Sequence, residues 1–174
     1  MAHVVELARS GRAKCRGCGQ ALPKGEPRVG EKLPNPFADD GDMTLWFHPL
    51  CAAFKRPEVL LEALDTTDVE VRESERLRAE ATKSQAHRRL PRIDGGARAP
   101  SGRARCRHCR ELIDKGSVRV SIIFYEEGRF DPGGHVHARC AAEYFGTGEL
   151  ADRVRHFSPE LDDAALAELQ AALG

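Results

Sequence analysis

The sequence is poor in the residues that fill large cores. It has one Trp, two Tyr and seven Phe among 174 residues. Modules of half that length with so few aromatics have marginal cores and gain from a staple such as a bound metal ion. No apolar run approaches the ~20 residues that a membrane-spanning helix needs, so no membrane partner is expected. The first residues, MAHVVELARSGR, lack a basic segment followed by an apolar one, so no signal peptide is expected. An intracellular protein follows: cytoplasm or nucleoid if bacterial, nucleus if eukaryotic. Lysine is scarce, six against 21 arginines, a bias of GC-rich genomes.

What is present organises the chain. Hydrophobic residues at 41% and charged residues at 31% put it among folded, non-membrane proteins. The net charge of zero hides segregation. Residues 8–32 and 98–119 each carry seven Lys/Arg against two acids, +5 apiece. Residues 58–80 (eight acids, three arginines) and 143–174 (seven acids, two arginines) each sum to −5. Basic blocks alternate with acidic ones, which reads either as two faces for an anion or as solvated surface.

Cysteine occurs nowhere outside a repeated phrase. SGRAKCRGC (10–18) returns as SGRARCRHC (101–109), and LPKGEPRVG (22–30) as IDKGSVRVS (113–121), both at an offset of 91. HPLC (48–51) returns as HARC (137–140) at an offset of 89. Each copy reads CxxC, then 29 or 27 residues, then HxxC. Cys15, Cys18, His48 and Cys51, and again Cys106, Cys109, His137 and Cys140, thus supply three thiolates and one imidazole, a full tetrahedral zinc set. Disulfides would strand one cysteine per copy. A redox CxxC leaves the paired HxxC unexplained. A catalytic zinc needs an open position, which four protein ligands close. Two structural Zn2+ ions are therefore expected. His135 competes with His137 as ligand, and the repeat register selects His137.

Strands are expected at RVGEKL and SVRVSIIFY after Lys-Gly turns, returning at TLWF and GHV, with PNPFADDGDM and EEGRFDPGG as hairpin tips. PLCAAF and ARCAAEYF read as short helices carrying the last ligands. Thr67–Glu70 reads as a capping box opening a charged helix to about His87. Leu161, Ala165, Leu166, Leu169 and Leu173 fall at helical spacing and read as the core face of a closing helix. The fold class is α+β: two small zinc-stabilised modules, each a short antiparallel sheet with helices. Residues 1–90 form the first, 91–102 a linker in a helical and polar connection, and 103–174 the second.

These motifs resemble the PARP-type zinc finger, found in poly(ADP-ribose) polymerases and at the front of DNA ligase III. The resemblance lies in ARSGRAKCRGC and APSGRARCRHC, in PKGEPRVG and DKGSVRVS, and in WFHPLC. RVGEKLPNPFADDGDMTLWFH is similar to the ligase finger, and FSPELDDAALAELQAAL to the helix that closes the module. The resemblance implies binding to DNA nicks, gaps or ends by structure rather than sequence. It places Arg12, Arg28, Arg103 and Arg119 on phosphates, and Phe37, Met43 and Phe130 against exposed bases. The second copy departs from it: Gly133 and Gly134 stand where an apolar partner is expected, and the aromatic pair before the ligand histidine is missing. Phe37 and Phe130 have an alternative, folding back onto their own small cores.

The expected function is a monomeric, non-enzymatic DNA-damage accessory, with DNA breaks and repair enzymes as partners. No transferase, ligase or nuclease signature is seen, and His3, His87, His108 and His156 form no constellation. Two rivals stay open. One is a protein-interaction zinc module docking through its acidic helices. The other is a single-stranded nucleic-acid or RNA binder using the same arginines and phenylalanines.

Overall fold

The computed structural model describes residues 2–174. The chain divides into two compact units, residues 1–86 and 87–174. In the first, β1 (Val4–Leu7), β2 (Pro27–Pro34) and β3 (Asp42–Phe47) form an antiparallel sheet in the order β1-β2-β3. Helices α1 (Pro49–Lys55), α2 (Pro57–Thr66) and α3 (Ser74–Ala86) follow. In the second, β4 (Ile93–Arg98), β5 (Val118–Glu126) and β6 (Arg129–His137) form a sheet in the order β4-β5-β6, followed by α4 (Ala138–Phe145), α5 (Ala151–Phe157) and α6 (Asp163–Leu173). The expected α+β class, two small sheets each with helices, is what the structure has.

Local chemistry explains the helix boundaries. Pro49 and Pro57 each stand in the first turn of a helix, where their missing N–H costs nothing. Pro57 also ends α1, since it cannot continue that helix's hydrogen bonding. In α3, Leu77, Ala81 and Ser84 recur at helical spacing and turn inward, and Ser84 Oγ donates to the Ala53 carbonyl at 2.7 Å. Helix α4 ends on Gly146, whose φ of 82° is the left-handed cap that glycine accepts without strain. The closing helix α6 starts on Asp162, whose carboxylate accepts from Ala165 N at 2.7 Å. Leu161, Ala165 and Leu169 are buried, and Leu166 and Leu173 pack against the same core, as the spacing implied. Asp162→Ala should cost the second unit about 1 kcal/mol. A urea midpoint unchanged by that substitution would remove the cap from the account.

Three sequence expectations need correcting. Residues 91–102 are not a linker: Ile93–Arg98 is β4, the edge strand of the second sheet, and Ile93 is buried. The register shifts between Ile93 and Gly96, where the Gly-Gly pair lies, and the boundary between units lies at residues 86–87. The charged helix begins at Ser74 rather than Thr67, because the Thr67 hydroxyl accepts from Val69 N in a local turn. Finally, EEGRFDPGG is mostly strand. Only Glu127 and Gly128, with φ of 47° and 86°, make the tip, the two-residue turn that best matches strand twist. β1, α2 and α5 were not anticipated.

Candidate metal centres and nucleic-acid interface

Each metal set is assembled within one unit from three places: the CxxC turn, the end of the sheet and the first turn of a helix. In the first unit the donors are Cys15, Cys18, His48 and Cys51; in the second, Cys106, Cys109, His137 and Cys140. The donor atoms of each set lie within 4.8 Å of one another. Nδ1 of His48 is 3.4 Å from Cys18 Sγ and 3.8 Å from Cys51 Sγ. Nδ1 of His137 is 3.3 Å from Cys109 Sγ and 3.8 Å from Cys140 Sγ. A tetrahedral zinc holding nitrogen at ~2.0 Å and sulfur at ~2.3 Å separates those atoms by about 3.5 Å. Both clusters are therefore suited to zinc, and His137 rather than His135 completes the second.

The surroundings orient the ligands. The Nε2 side of His48 faces the Ala21 carbonyl at 3.1 Å, and that of His137 faces the Leu112 carbonyl at 2.9 Å. Donating Nε2–H to these carbonyls leaves Nδ1 free for metal and fixes the ring. Backbone N–H groups of Gly17 and His48 point at Cys15 Sγ, both at 3.3 Å, and those of His108 and His137 at Cys106 Sγ at 3.4 and 3.3 Å. These donors favour thiolate over thiol. Hydrogen bonding with the Cys51 thiol, then with His48, holds Cys15 down to about 3, and the same bond pushes Cys51 up. Burial pushes Cys140 up to about 12. A dication displaces the protons that these thiols otherwise keep, so zinc uptake weakens as pH falls.

Around the first centre the basic residues are exposed. Arg9, Arg12, Lys14, Arg16 and Lys24 all lie on the surface, and among the described residues their side chains carry no ion pair. Arg103 is exposed in the same way in the second unit. Arg28 is placed differently. Only 8% of it is exposed, its Nη2 donates to Glu6 Oε1 at 2.7 Å, and its guanidinium lies 3.7 Å over the Trp46 ring. Arg119, its counterpart, is half-buried on β5.

The aromatic residues also separate. Phe37 is 95% exposed in the loop at 35–41. Its N–H donates to Asn35 Oδ1 at 3.0 Å, and Asn35 N donates to the Gly41 carbonyl at 3.2 Å, so short-range bonds shape the loop that presents the ring. Met43 sits just beyond the loop, half-buried on β3 opposite Leu33. Phe130 is not at a loop tip. It lies half-buried on β6 with its ring 5.0 Å from Tyr125, edge to face. Gly133 is required there, because a Cβ would meet the Phe124 ring at 2.3 Å.

The match to known proteins follows this geometry. Residues 6–87 match the family described as the poly(ADP-ribose) polymerase and DNA-ligase Zn-finger region. They are a PARP-type zinc finger. Poly [ADP-ribose] polymerase 1 of Oryza sativa subsp. japonica is 32% identical over 80% of this chain, which spans 14% of that protein. The Sarcophaga peregrina polymerase is 27% identical over 82% of the chain, which spans 16% of it, and the Danio rerio polymerase 1 is 30% identical over 53%, spanning 10%. The chain thus covers only a small part of these relatives. Its second unit repeats the PARP-type donor set and the same carbonyl contact to the ligand histidine. Among the described residues no helix is long and apolar enough to cross a membrane.

Some contacts of this PARP-type finger escaped the sequence reading. Glu6 and Trp46 enclose Arg28, and Lys55 Nζ, buried, donates to the Gly17 carbonyl of the CxxC turn at 2.7 Å. Glu6 was detectable: the offset of 91 places Ala97 at its position in the second copy, a change of charge opposite the strand arginine.

Proposed function

We propose that the chain binds DNA at nicks, gaps or ends through phosphate contacts from its arginines and base stacking by Phe37. The observation that carries this reading is the exposure of Phe37, 95%, in a turn-stabilised loop. An intact duplex hides base faces, whereas a break exposes one on which an aromatic ring can stack. Exposed arginines with no carboxylate partner are suited to phosphate oxygens, which position the protein without reading sequence. Arg12 and Arg103 are the most accessible of the four arginines assigned to phosphate, and Arg119 is half-buried in the second sheet. Arg28 joins only if its bond to Glu6 is given up. Met43 extends the apolar surface behind Phe37, and Phe130 contributes to the sheet rather than to a base.

No catalysis is assigned to the chain, since each Cys3His set closes the metal's coordination shell. Repair chemistry would come from partner enzymes, and the protein would act as a monomer inside the cell. The two units raise each other's affinity through effective concentration when both engage one DNA.

The test is a binding panel of nicked, gapped, blunt and intact duplexes with single-stranded DNA and RNA. Arg12→Ala should weaken binding to every duplex about three- to tenfold and reduce the salt slope by about one. Equal affinity of the wild type for intact and nicked duplex would sink break recognition, and preference for single strands would favour the rival nucleic-acid reading.

A further inference from the structure

The two units carry the same strand arginine in different electrostatic settings. In the first, Glu6 lies directly opposite Arg28 in the β1–β2 register and accepts its Nη2 at 2.7 Å. Trp46 covers the other face of the guanidinium, and Gly30 beneath it admits the indole, since a Cβ there would meet the ring at 2.7 Å. In the second, the residue opposite Arg119 is Ala97. Where the first unit has Gly30 and Trp46, the second has Ser121 and His135, paired across β5–β6 with Ser121 Oγ 3.2 Å from His135 Nδ1. Among the described residues no carboxylate bonds to Arg119, and its buried Nε, like that of Arg28, has no partner. The second unit therefore holds an uncompensated, half-buried cation beside a hydroxyl and an imidazole.

We propose that the residue opposite the strand arginine, Glu6 in one unit and Ala97 in the other, sets how strongly each unit grips a phosphate group. Resting on the DNA-binding reading above, this makes the second unit the stronger grip. A phosphate approaching Arg28 must displace a carboxylate already bonded to it and shielded by an indole. One approaching Arg119 displaces no internal anion. It supplies the missing counter-charge, and Ser121 and His135 offer further hydrogen bonds. The first unit keeps Phe37 for the break, so the two copies divide the work: one reads the discontinuity, the other holds the backbone.

Exchanging the two residues tests this. The zinc-loaded full chain is titrated with nicked duplex as wild type, Glu6→Ala, Ala97→Glu and the double exchange, and zinc content and melting are checked for each. Ala97 is exposed, so the new carboxylate needs no repacking. Ala97→Glu should weaken binding about tenfold and lower the salt slope by about one, while Ala97→Gln binds like wild type. Glu6→Ala should tighten binding severalfold, and the double exchange should return to within about threefold of wild type. If Glu6→Ala does not fold, Ala97→Glu decides alone. In parallel, inorganic tripolyphosphate should raise the melting temperature of the wild type more than that of Ala97→Glu. DNA binding by Ala97→Glu equal to wild type, with zinc intact, overturns this inference and leaves DNA binding standing. Loss of DNA binding in every protein, with the tripolyphosphate difference preserved, overturns the DNA reading and supports the phosphate site.

Discussion

Removing zinc with a strong chelator should abolish cooperative unfolding of both units. The reason is the size of the metal's contribution compared with that of the cores. Structural zinc supplies on the order of 10 kcal/mol per site at neutral pH. A whole small domain has about 5–15 kcal/mol of stability. In the first unit the CxxC turn, the end of β3 and the start of α1 converge at the four donors Cys15, Cys18, His48 and Cys51. Without the ion, three buried or half-buried thiols crowd one point, and the bonds that hold Cys15 down push Cys51 up. Circular dichroism and a thermal scan with and without chelator read the result. Because each donor set lies within one unit, Cys51→Ala should melt the first and Cys140→Ala the second. A spectrum and melting curve unaffected by metal removal would show that the apolar cores suffice.

Phe37→Ala should cost the preference for nicked over intact duplex while leaving the protein's melting temperature unchanged. Stacking on one exposed base is worth about 1–3 kcal/mol, so the preference should fall roughly five- to hundredfold. The ring is 95% exposed and supports no core, so stability has little to lose. Phe130→Ala provides the contrast. Its ring packs on Tyr125, so that change should lower the melting of the second unit and leave break preference alone. A Phe37→Ala protein with undiminished preference for breaks would detach Phe37 from the site.

The metal centres were fully legible in the sequence because their information is spacing: CxxC and HxxC at a repeated offset name all eight donors. The helices that carry the last ligands and the closing helix were legible for a similar reason, proline starts and apolar periodicity being local. The failures are non-local. β4 looked like a linker because Gly95-Gly96 and Pro100 signal turns, and only pairing with β5 makes the segment a strand. Phe130 looked like the twin of Phe37, but a two-residue turn at Glu127-Gly128 draws it into β6. Arg28 and Arg119 looked equivalent because the strand motif is the same. Their difference comes from residues about 22 positions upstream that meet them only across the sheet.

The two hairpins differ where the metal cannot feel it. In the first unit seven residues, 35–41, join β2 to β3; in the second, two residues join β5 to β6. Both tips lie at the far end of their strands from the ligand histidine, which follows β3 in one copy and ends β6 in the other. After a duplication, selection can therefore lengthen, shorten or replace a tip without disturbing the knot of sulfur and nitrogen that folds the module. A copy that loses its exposed ring still folds, and is free to specialise.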